Sequence, residues 1–113
     1  MTLEFNPEYT SQSIITTIVV KEKAKRVRFD LDYIESVDKW YIGLYNAQTG
    51  ESYCINIPLV ASYSVKNNLF APYHYKNIGE LVCVPIVDDV SSVDPTKDNL
   101  MTEFAVIWGE TIA

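Results

Sequence analysis

RVRFDLDY, the stretch Arg26–Tyr33, alternates strictly between charged residues and apolar or aromatic ones. Successive side chains of a β-strand point to opposite faces of the sheet, so this alternation predicts a strand with one face toward a core and the other toward water. No part of the chain shows a sustained helical period of about 3.6 residues. The sequence therefore predicts an all-β protein.

The segment before this strand predicts a first β-hairpin. Ser13–Lys21 is dense in β-branched residues, which lose little freedom in a strand and more in a helix. We place the turn at Glu22–Ala24, so that the two strands run antiparallel. Residues 1–12 precede the hairpin as an N-terminal arm.

The segment after the strand predicts a second hairpin. In Trp40–Tyr45 the even-numbered residues are placed toward the core, with Tyr41 and Tyr45 on the other face. Asn46–Glu51 carries turn chemistry, and the return strand ends at Pro58, which has no backbone N–H to donate. Three residues of the return strand are predicted to share one face: Tyr53, Ile55 and Ile57.

Two further strands complete the prediction. Glu80–Val87 is almost continuously apolar, as expected for a strand covered on both faces, although Pro85 moves its end toward an edge or a bulge. The last strand is Thr102–Ile107, with an extension to Trp108 as the alternative, and it places Phe104, Val106 and Trp108 together. Asp88–Met101 is read as a loop with at most one helical turn, in which Asp94 would be the N-cap.

These elements define the expected architecture. The chain of 113 residues is long enough for one hydrophobic core. We therefore expect a single β-domain over residues 1–113, with its core in residues 13–108. Its fold would be a small antiparallel β-sandwich or a partly open β-barrel of about six strands, with one short helical turn.

The charge distribution argues against specific binding of nucleic acid. Nine Lys and Arg residues stand against fifteen Asp and Glu residues, whereas binding to a phosphate backbone needs clustered cations. Five of the nine basic residues nevertheless lie within Lys21–Arg28, and Asp88–Glu110 carries six acids. Each group is either a solvated face or a surface that docks against an oppositely charged neighbour.

The sequence also bears on location and on the cysteines. The N-terminal residues lack the basic and apolar regions of a signal peptide, and no stretch approaches the ~20 apolar residues of a membrane span. We expect synthesis in a cytosol, no signal-peptide secretion and no membrane insertion. Cys54 and Cys83 lie in apolar runs and are expected to be small buried residues, with a disulfide as the open alternative.

No motif in the sequence predicts a catalytic, cofactor or metal site. His74 is the only histidine and has no acid or nucleophile beside it in sequence, so a structural or surface role is favoured over that of a general base. The serines form no Gly-x-Ser-x-Gly motif, and the four glycines form no phosphate-binding loop. The acids from Asp88 to Asp98 are read as turn residues, with a calcium-type cation site as the alternative.

The aromatic residues divide by their phase in the strands. Trp40 and Trp108 fall in phase with core aliphatic residues, and we expect both to be buried. Tyr41 and Tyr45 fall out of phase and are candidates for an exposed or partner-covered pair. A free-standing β-sandwich that binds carbohydrate or peptide through its tyrosines is therefore one possible reading.

A series of short segments carries a more specific signal. In order they are KWYIGLYN (Lys39–Asn46), a glycine-containing turn, IPLV (Ile57–Val60), NLFAPY (Asn68–Tyr73), GELVCV (Gly79–Val84) and DPTKDNL (Asp94–Leu100), followed by FAV (Phe104–Val106). This order resembles the small baseplate plug proteins of contractile-tailed bacteriophages and tail-like particles. The resemblance extends over about residues 26–108.

The resemblance implies a structural protein and no enzyme. Such a protein would pack at the hub of the baseplate, near the end of the tail tube, in the virion tail or in a tail-like particle. It would help close the lumen and organise tail assembly. The implied partners are other hub, spike and tube-initiator proteins, with further copies of the same chain as an option, and no cofactor is implied.

The resemblance also suggests a role in partner contacts for the charge-poor stretch Asn56–Tyr75. It would form a long loop between parts of the sheet, with its aliphatic residues under the strands and its aromatic end facing neighbours. The alternative is a loop that folds back wholly on its own domain. The residues expected to contact partners are Tyr41, Tyr45, Leu69, Phe70, Tyr73, His74 and Tyr75, with Lys21, Lys23 and Lys25 as a charged rim.

Overall fold

The computed structural model describes residues 1–112 and contains six β-strands in two antiparallel sheets. The four-stranded sheet has the order β1–β2–β3–β4, and β5 pairs with β6 in the second sheet. The strands are β1 (Ser11–Val20), β2 (Lys23–Ile34), β3 (Lys39–Asn46), β4 (Ser52–Pro58), β5 (Glu80–Pro85) and β6 (Phe104–Gly109). Two short 3-10 helices span Glu35–Val37 and Ala71–Lys76. The predicted all-β class is confirmed.

β1 and β2 form a long, regular hairpin with a two-residue turn. All ten residues of β1 pair with β2 in one continuous register, which ends with Val20 opposite Lys23. Lys21 and Glu22 both have positive φ angles, 51° and 65°, as in a type I′ turn, whose twist matches that of the strands. The turn predicted at Glu22–Ala24 was wrong, because pairing continues to Lys23 and leaves only two residues for the turn.

The inward faces of β2 and β3 fill the core, as their alternation predicts. Their fully buried side chains are Val27, Phe29, Leu31, Trp40, Ile42 and Leu44. The indole N–H of Trp40 donates to the carbonyl oxygen of Thr96 at 2.9 Å, so the one polar group of this side chain is satisfied. The period of two along these strands therefore sets the position of the core.

β4 departs from the predicted alternation. Its pairing with β3 contains two register shifts, and Asn56 has a positive φ of 55°, so an extra residue interrupts the ladder twice. As a result Cys54 is buried in the core, whereas Ile55 is 48% exposed. The prediction that Ile55 lies on the same side as Tyr53 and Ile57 was wrong for this reason, because those two side chains pack partly against the core.

β5 and β6 are shorter than the sequence predicted. β5 stops at Pro85, and the two following residues, Ile86 and Val87, are exposed. Phe104, Val106 and Trp108 of β6 are all buried, which confirms their predicted common face. The strand ends at Pro85, although the backbone N–H of Ile86 still donates to the carbonyl oxygen of Glu103 at 2.8 Å.

Irregular segments cover both outer edges of this small sheet. Along β6, the N–H of Leu3 donates to the carbonyl oxygen of Val106 at 2.8 Å, and Leu3 is itself buried. Along β5, the N–H of Leu69 donates to Leu81 O at 2.8 Å, and Ser62 N–H donates to Cys83 O at 2.7 Å. The N-terminal arm thus packs against the sheet over its first residues.

The predicted helical start at Asp94 is wrong. Asp94 instead accepts a hydrogen bond from the backbone N–H of Ala61 at 2.9 Å and lies 3.7 Å from Lys39 Nζ. The local turn begins at Thr96, whose N–H donates to Asn99 Oδ1 at 2.6 Å. Asp94 therefore ties the acidic loop to the segment after β4.

Both cysteines are buried and free, which confirms their predicted role as small apolar residues. Burial raises the pKa of the Cys54 thiol to about 11 and that of Cys83 to about 12. Both thiols therefore stay protonated and unreactive at neutral pH.

Candidate partner surfaces

The crossing segment, residues 59–79, connects the two sheets and carries most of the predicted contact residues. Its apolar side chains are divided between the core and the surface. Leu59, Phe70 and Ile78 are buried in the core, and Leu69 is only 9% exposed. The prediction that Leu69 and Phe70 contact partners is corrected here, because both side chains are used to join the two sheets within the chain.

The second 3-10 helix presents the aromatic end of the crossing segment. Pro72 stands at its start, where the missing N–H costs no hydrogen bond. Tyr73 is half-buried and packs against the core, whereas His74 is exposed and Tyr75 is 72% exposed. The helix ends at Asn77, which has a positive φ of 54°. His74 and Tyr75 therefore lie where a neighbouring molecule can reach them.

Two lysines fasten this helix to the four-stranded sheet. Lys25 Nζ donates to the carbonyl oxygens of Lys76 and Asn77 at 3.1 and 2.9 Å. Lys76 Nζ donates to the carbonyl oxygen of Tyr53 in β4 at 2.6 Å. Lys25 is thus half-buried in contacts within the chain, whereas Lys21 and Lys23 are exposed.

A cleft of about 180 Å³ lies between this helix and the β1–β2 turn. Lys21 and His74 both line it, together with Glu80 and Glu110. Glu110 Oε2 accepts a hydrogen bond from the backbone N–H of Lys21 at 2.8 Å. The side chain of Lys21 is exposed. The fold therefore brings Lys21 and His74, far apart in sequence, to the same surface.

Glu80 is held at the bottom of this surface by two donors. The Lys66 ammonium, 2.9 Å from Glu80 Oε1, and the backbone N–H of Ile112, at 2.7 Å, hold the pKa of this carboxyl below its usual range. Oε1 of Glu80 is therefore occupied by structural contacts. We call Lys21, Tyr73, His74, Tyr75 and Lys76 the crossing surface.

The geometry around His74 offers no catalytic pair. Among residues 1–112, the imidazole has no hydrogen bond to an acid or a nucleophile, and the two carboxylates of the cleft are engaged elsewhere. Nor do residues 1–112 contain a group of three or more His, Cys, Asp or Glu side chains that could hold a metal ion. The acids from Asp88 to Asp98 therefore form no such group within the described residues.

The outer face of the four-stranded sheet holds the second predicted pair. The Arg28 guanidinium lies 4.5 Å from the ring centre of Tyr45 and is fixed by Asp30, with 2.8 Å between Nε and Oδ1. This carboxylate raises the pKa of Arg28. One face of the Tyr45 ring consequently stacks on Arg28, and Tyr41 lines a shallow depression beside Tyr33. Both tyrosines are half-buried.

The sequence prediction missed a third surface at the opposite end of the small sheet. Tyr63, Val65, Ile86 and Val93 are all at least half exposed, and the Tyr63 hydroxyl donates to the Val93 carbonyl oxygen. These four residues form the Tyr63 patch. Each of them lies in a loop rather than in an alternating strand, so periodicity gave no signal for them.

Comparisons with known proteins bear on what these surfaces do. The family described as Cyanophage baseplate Pam3 plug gp18 matches residues 2–111, nearly the whole chain. No curated protein matches the chain. None of the helices in residues 1–112 is long or apolar enough to cross a membrane. The family match confirms the resemblance carried by the ordered segments.

Proposed function

The chain belongs to the cyanophage baseplate plug family, and from this premise we propose that it closes the end of the tail tube. A protein of such a family is a structural component of the phage tail baseplate. The proposal adds that the chain packs at the hub, near the tube end, and performs no catalysis. Its partners there would be hub, spike and tube-initiator proteins.

The family match is the observation that carries this proposal. It spans both sheets and the crossing segment, so the whole fold is characteristic of the family. The exposed aromatic and aliphatic residues of the crossing surface and the Tyr63 patch supply apolar area on the outside of a small protein. Exposed aromatic and aliphatic side chains in groups are typical of surfaces that another protein covers.

The charge of the chain supports a position beside the path of DNA. The net charge is −6, and Asp88 and Asp89 stand exposed at the tip of the acidic loop. Carboxylates on a lumen wall repel the phosphates of passing DNA and do not trap them. Lys21 and Lys23 lie exposed at the β1–β2 turn. Their positive charges can pair with acidic residues of neighbouring proteins.

The proposal is tested in particles of the phage that carries this gene. A nonsense mutation in the gene is compared with the same mutant complemented by the wild-type chain. We expect particles without the chain either to lack tail tubes, which electron microscopy would show, or to lose DNA through their tails, which would be measured as DNA released into the medium. Complementation should restore both the tails and the infectious titre.

Two results would contradict the proposal. One is a mutant with normal tails, retained DNA and an unchanged titre. The other is the absence of the chain from purified wild-type particles when their proteins are quantified by mass spectrometry. A carbohydrate- or peptide-binding module would give the second result.

A further inference from the structure

The outer edge of β1 is the one long strand edge that the described chain leaves open. β1 pairs only with β2, and no backbone group of residues 11–20 bonds to any other segment within residues 1–112. An unpaired edge presents a row of free N–H and C=O groups to any extended chain. Proteins usually protect such edges, so an exception invites an explanation.

β1 also lacks the usual protective features. It has no proline, no charged residue and no bulge over its ten residues, SQSIITTIVV. β4, at the opposite edge of the same sheet, has two register shifts, ends in Pro58 and is bridged by Lys76. Both edges of the small sheet are covered by other segments. The chain thus protects three edges and leaves the fourth ready to pair.

The hairpin register identifies the free backbone groups. In a hairpin with a two-residue turn, the residues flanking the turn exchange both backbone hydrogen bonds, so Val20 and the other even-numbered residues of β1 face β2. The bond from Tyr33 N–H to Thr10 O, 2.8 Å, continues this phase. The odd-numbered residues therefore direct their N–H and C=O groups outward: Ser11, Ser13, Ile15, Thr17 and Val19.

The side chains beside this edge suit a strand with apolar residues. Ile15 is 55% exposed and Val19 49% exposed on the outer face, and both lie next to the free backbone groups. An added strand that placed apolar residues opposite them would cover this area. Cross-strand pairs of β-branched or aromatic residues each stabilise a sheet modestly.

The charges at the two ends of β1 favour one direction for that strand. Near the turn, four cations outnumber two acids: Lys21, Lys23, Lys25 and Arg26 against Glu22 and Glu110. Lys21, Lys23 and Arg26 take part in none of the salt bridges within residues 1–112. At the other end, Asp32 is exposed. An antiparallel strand with acids near its N-terminal end would match this pattern.

We propose that the free edge of β1 accepts an extended segment of a neighbouring baseplate protein as an antiparallel fifth strand. This inference rests on the proposed function, because the baseplate supplies the neighbour. The segment would be apolar at alternate positions and acidic near its N-terminal end. A second copy of this chain, paired with β1 around a two-fold axis, is the other occupant that the test below distinguishes.

The test uses two matched lysine variants in the phage that carries this gene. Ile15→Lys places a charge on the free edge, whereas Ile55→Lys places one on an isoleucine of β4 that is similarly exposed, 48% against 55%. Copies of the chain per particle are counted by quantitative mass spectrometry. We expect Ile15→Lys to lower the count at least about tenfold and Ile55→Lys to leave it unchanged.

A backbone variant separates the edge from its side chains. Ile15→Pro removes an outward N–H but no bond to β2, whereas Ile15→Thr keeps the N–H and removes apolar area. We expect the proline variant to be excluded from particles and the threonine variant to enter them in reduced number. Circular dichroism and the midpoint of urea unfolding check that each purified variant folds. If the proline variant does not fold, the Ile15→Lys result alone decides the test.

The outcomes separate this inference from the proposed function. Absence of the wild-type chain from particles would overturn the proposed function. Wild-type chain in the particles together with normal entry of Ile15→Lys would overturn only the fifth strand. A purified wild-type dimer that Ile15→Lys converts to a monomer, measured by sedimentation, would assign the edge to a second copy and also overturn the inference.

Discussion

The two sheets of this protein treat their edges differently. In the small sheet, residues 1–3 bond along β6, and residues 61–62 and 69 bond along β5. In the four-stranded sheet, no segment of residues 1–112 bonds along the outer edge of β1. The covering segments belong to the chain itself, and they also supply core residues such as Leu3 and Phe70.

This difference separates what the chain does alone from what it leaves to a partner. Covered edges are part of folding, because the segments that cover them bury apolar side chains. The open edge contributes nothing further to folding and is available for assembly. Changes to the covering segments should therefore alter stability, and changes to the open edge should alter assembly while stability stays nearly constant.

The largest expected effect comes from emptying the core under the crossing segment. Phe70→Ala removes a fully buried aromatic side chain, which should lower the free energy of unfolding by about 3–5 kcal/mol. Urea unfolding followed by circular dichroism measures the change. Tyr75→Ala, in the same segment but 72% exposed, is the control and should change stability by less than about 0.5 kcal/mol. Equal effects would show that the segment does not pack as described.

A smaller effect should follow from cutting the tie between this segment and β5. Asn68 Oδ1 accepts from the N–H groups of Phe70 and Leu81, both at 3.0 Å. Asn68→Ala leaves these donors without that acceptor and should cost about 2 kcal/mol of stability. Asn67→Ala is the matched control, because only the backbone of Asn67 is bonded. A neutral Asn68→Ala would mean that this edge is not held by the side chain.

A pH-dependent effect is expected at the start of β5. The pKa of Glu80 is lowered in the folded state, so its ionisation adds stability that is present above the unfolded value of 4.5 and lost as the pH falls through the folded value. Glu80→Gln should therefore be less stable than wild type at pH 7, and the gap should close below pH 4.5. Thermal unfolding across this pH range measures the gap. A gap that stays constant over this range would contradict this role of Glu80.

The open edge should be visible without any loss of stability. Amides of Ser13, Ile15, Thr17 and Val19 have no backbone acceptor in the described chain and should exchange with solvent quickly. The even-numbered amides of β1 bond to β2 and should exchange far more slowly. Hydrogen exchange followed by two-dimensional NMR on the purified chain gives each rate. Uniform protection along β1 would show that something already covers the edge.

The regular part of the fold could be predicted from the sequence because period two is a local signal. The alternation in Arg26–Tyr33 and in Trp40–Tyr45 gave the correct inward faces, since each strand there keeps its register. It failed at Ile55, where two bulges shift the pairing. Bulges depend on how neighbouring strands meet, and no local pattern in the sequence reports that.

The contact residues were harder to predict for a related reason. A charge-poor apolar segment is compatible with burial in its own core and with burial under a partner. Leu69 and Phe70 are buried in the core of the chain itself, whereas Tyr75 is exposed. The open edge of β1 could not be predicted either, because its existence depends on which strands are neighbours. The order of segments did identify the family, since it does not depend on these details.

The most direct test is a cryo-EM map of the assembled tail tip at a resolution that separates β-strands. We predict that this chain lies at the end of the tube and that β1 has an antiparallel strand from another baseplate protein beside it. A tail tip that lacks the chain, or that contains it with β1 facing solvent, would contradict the account.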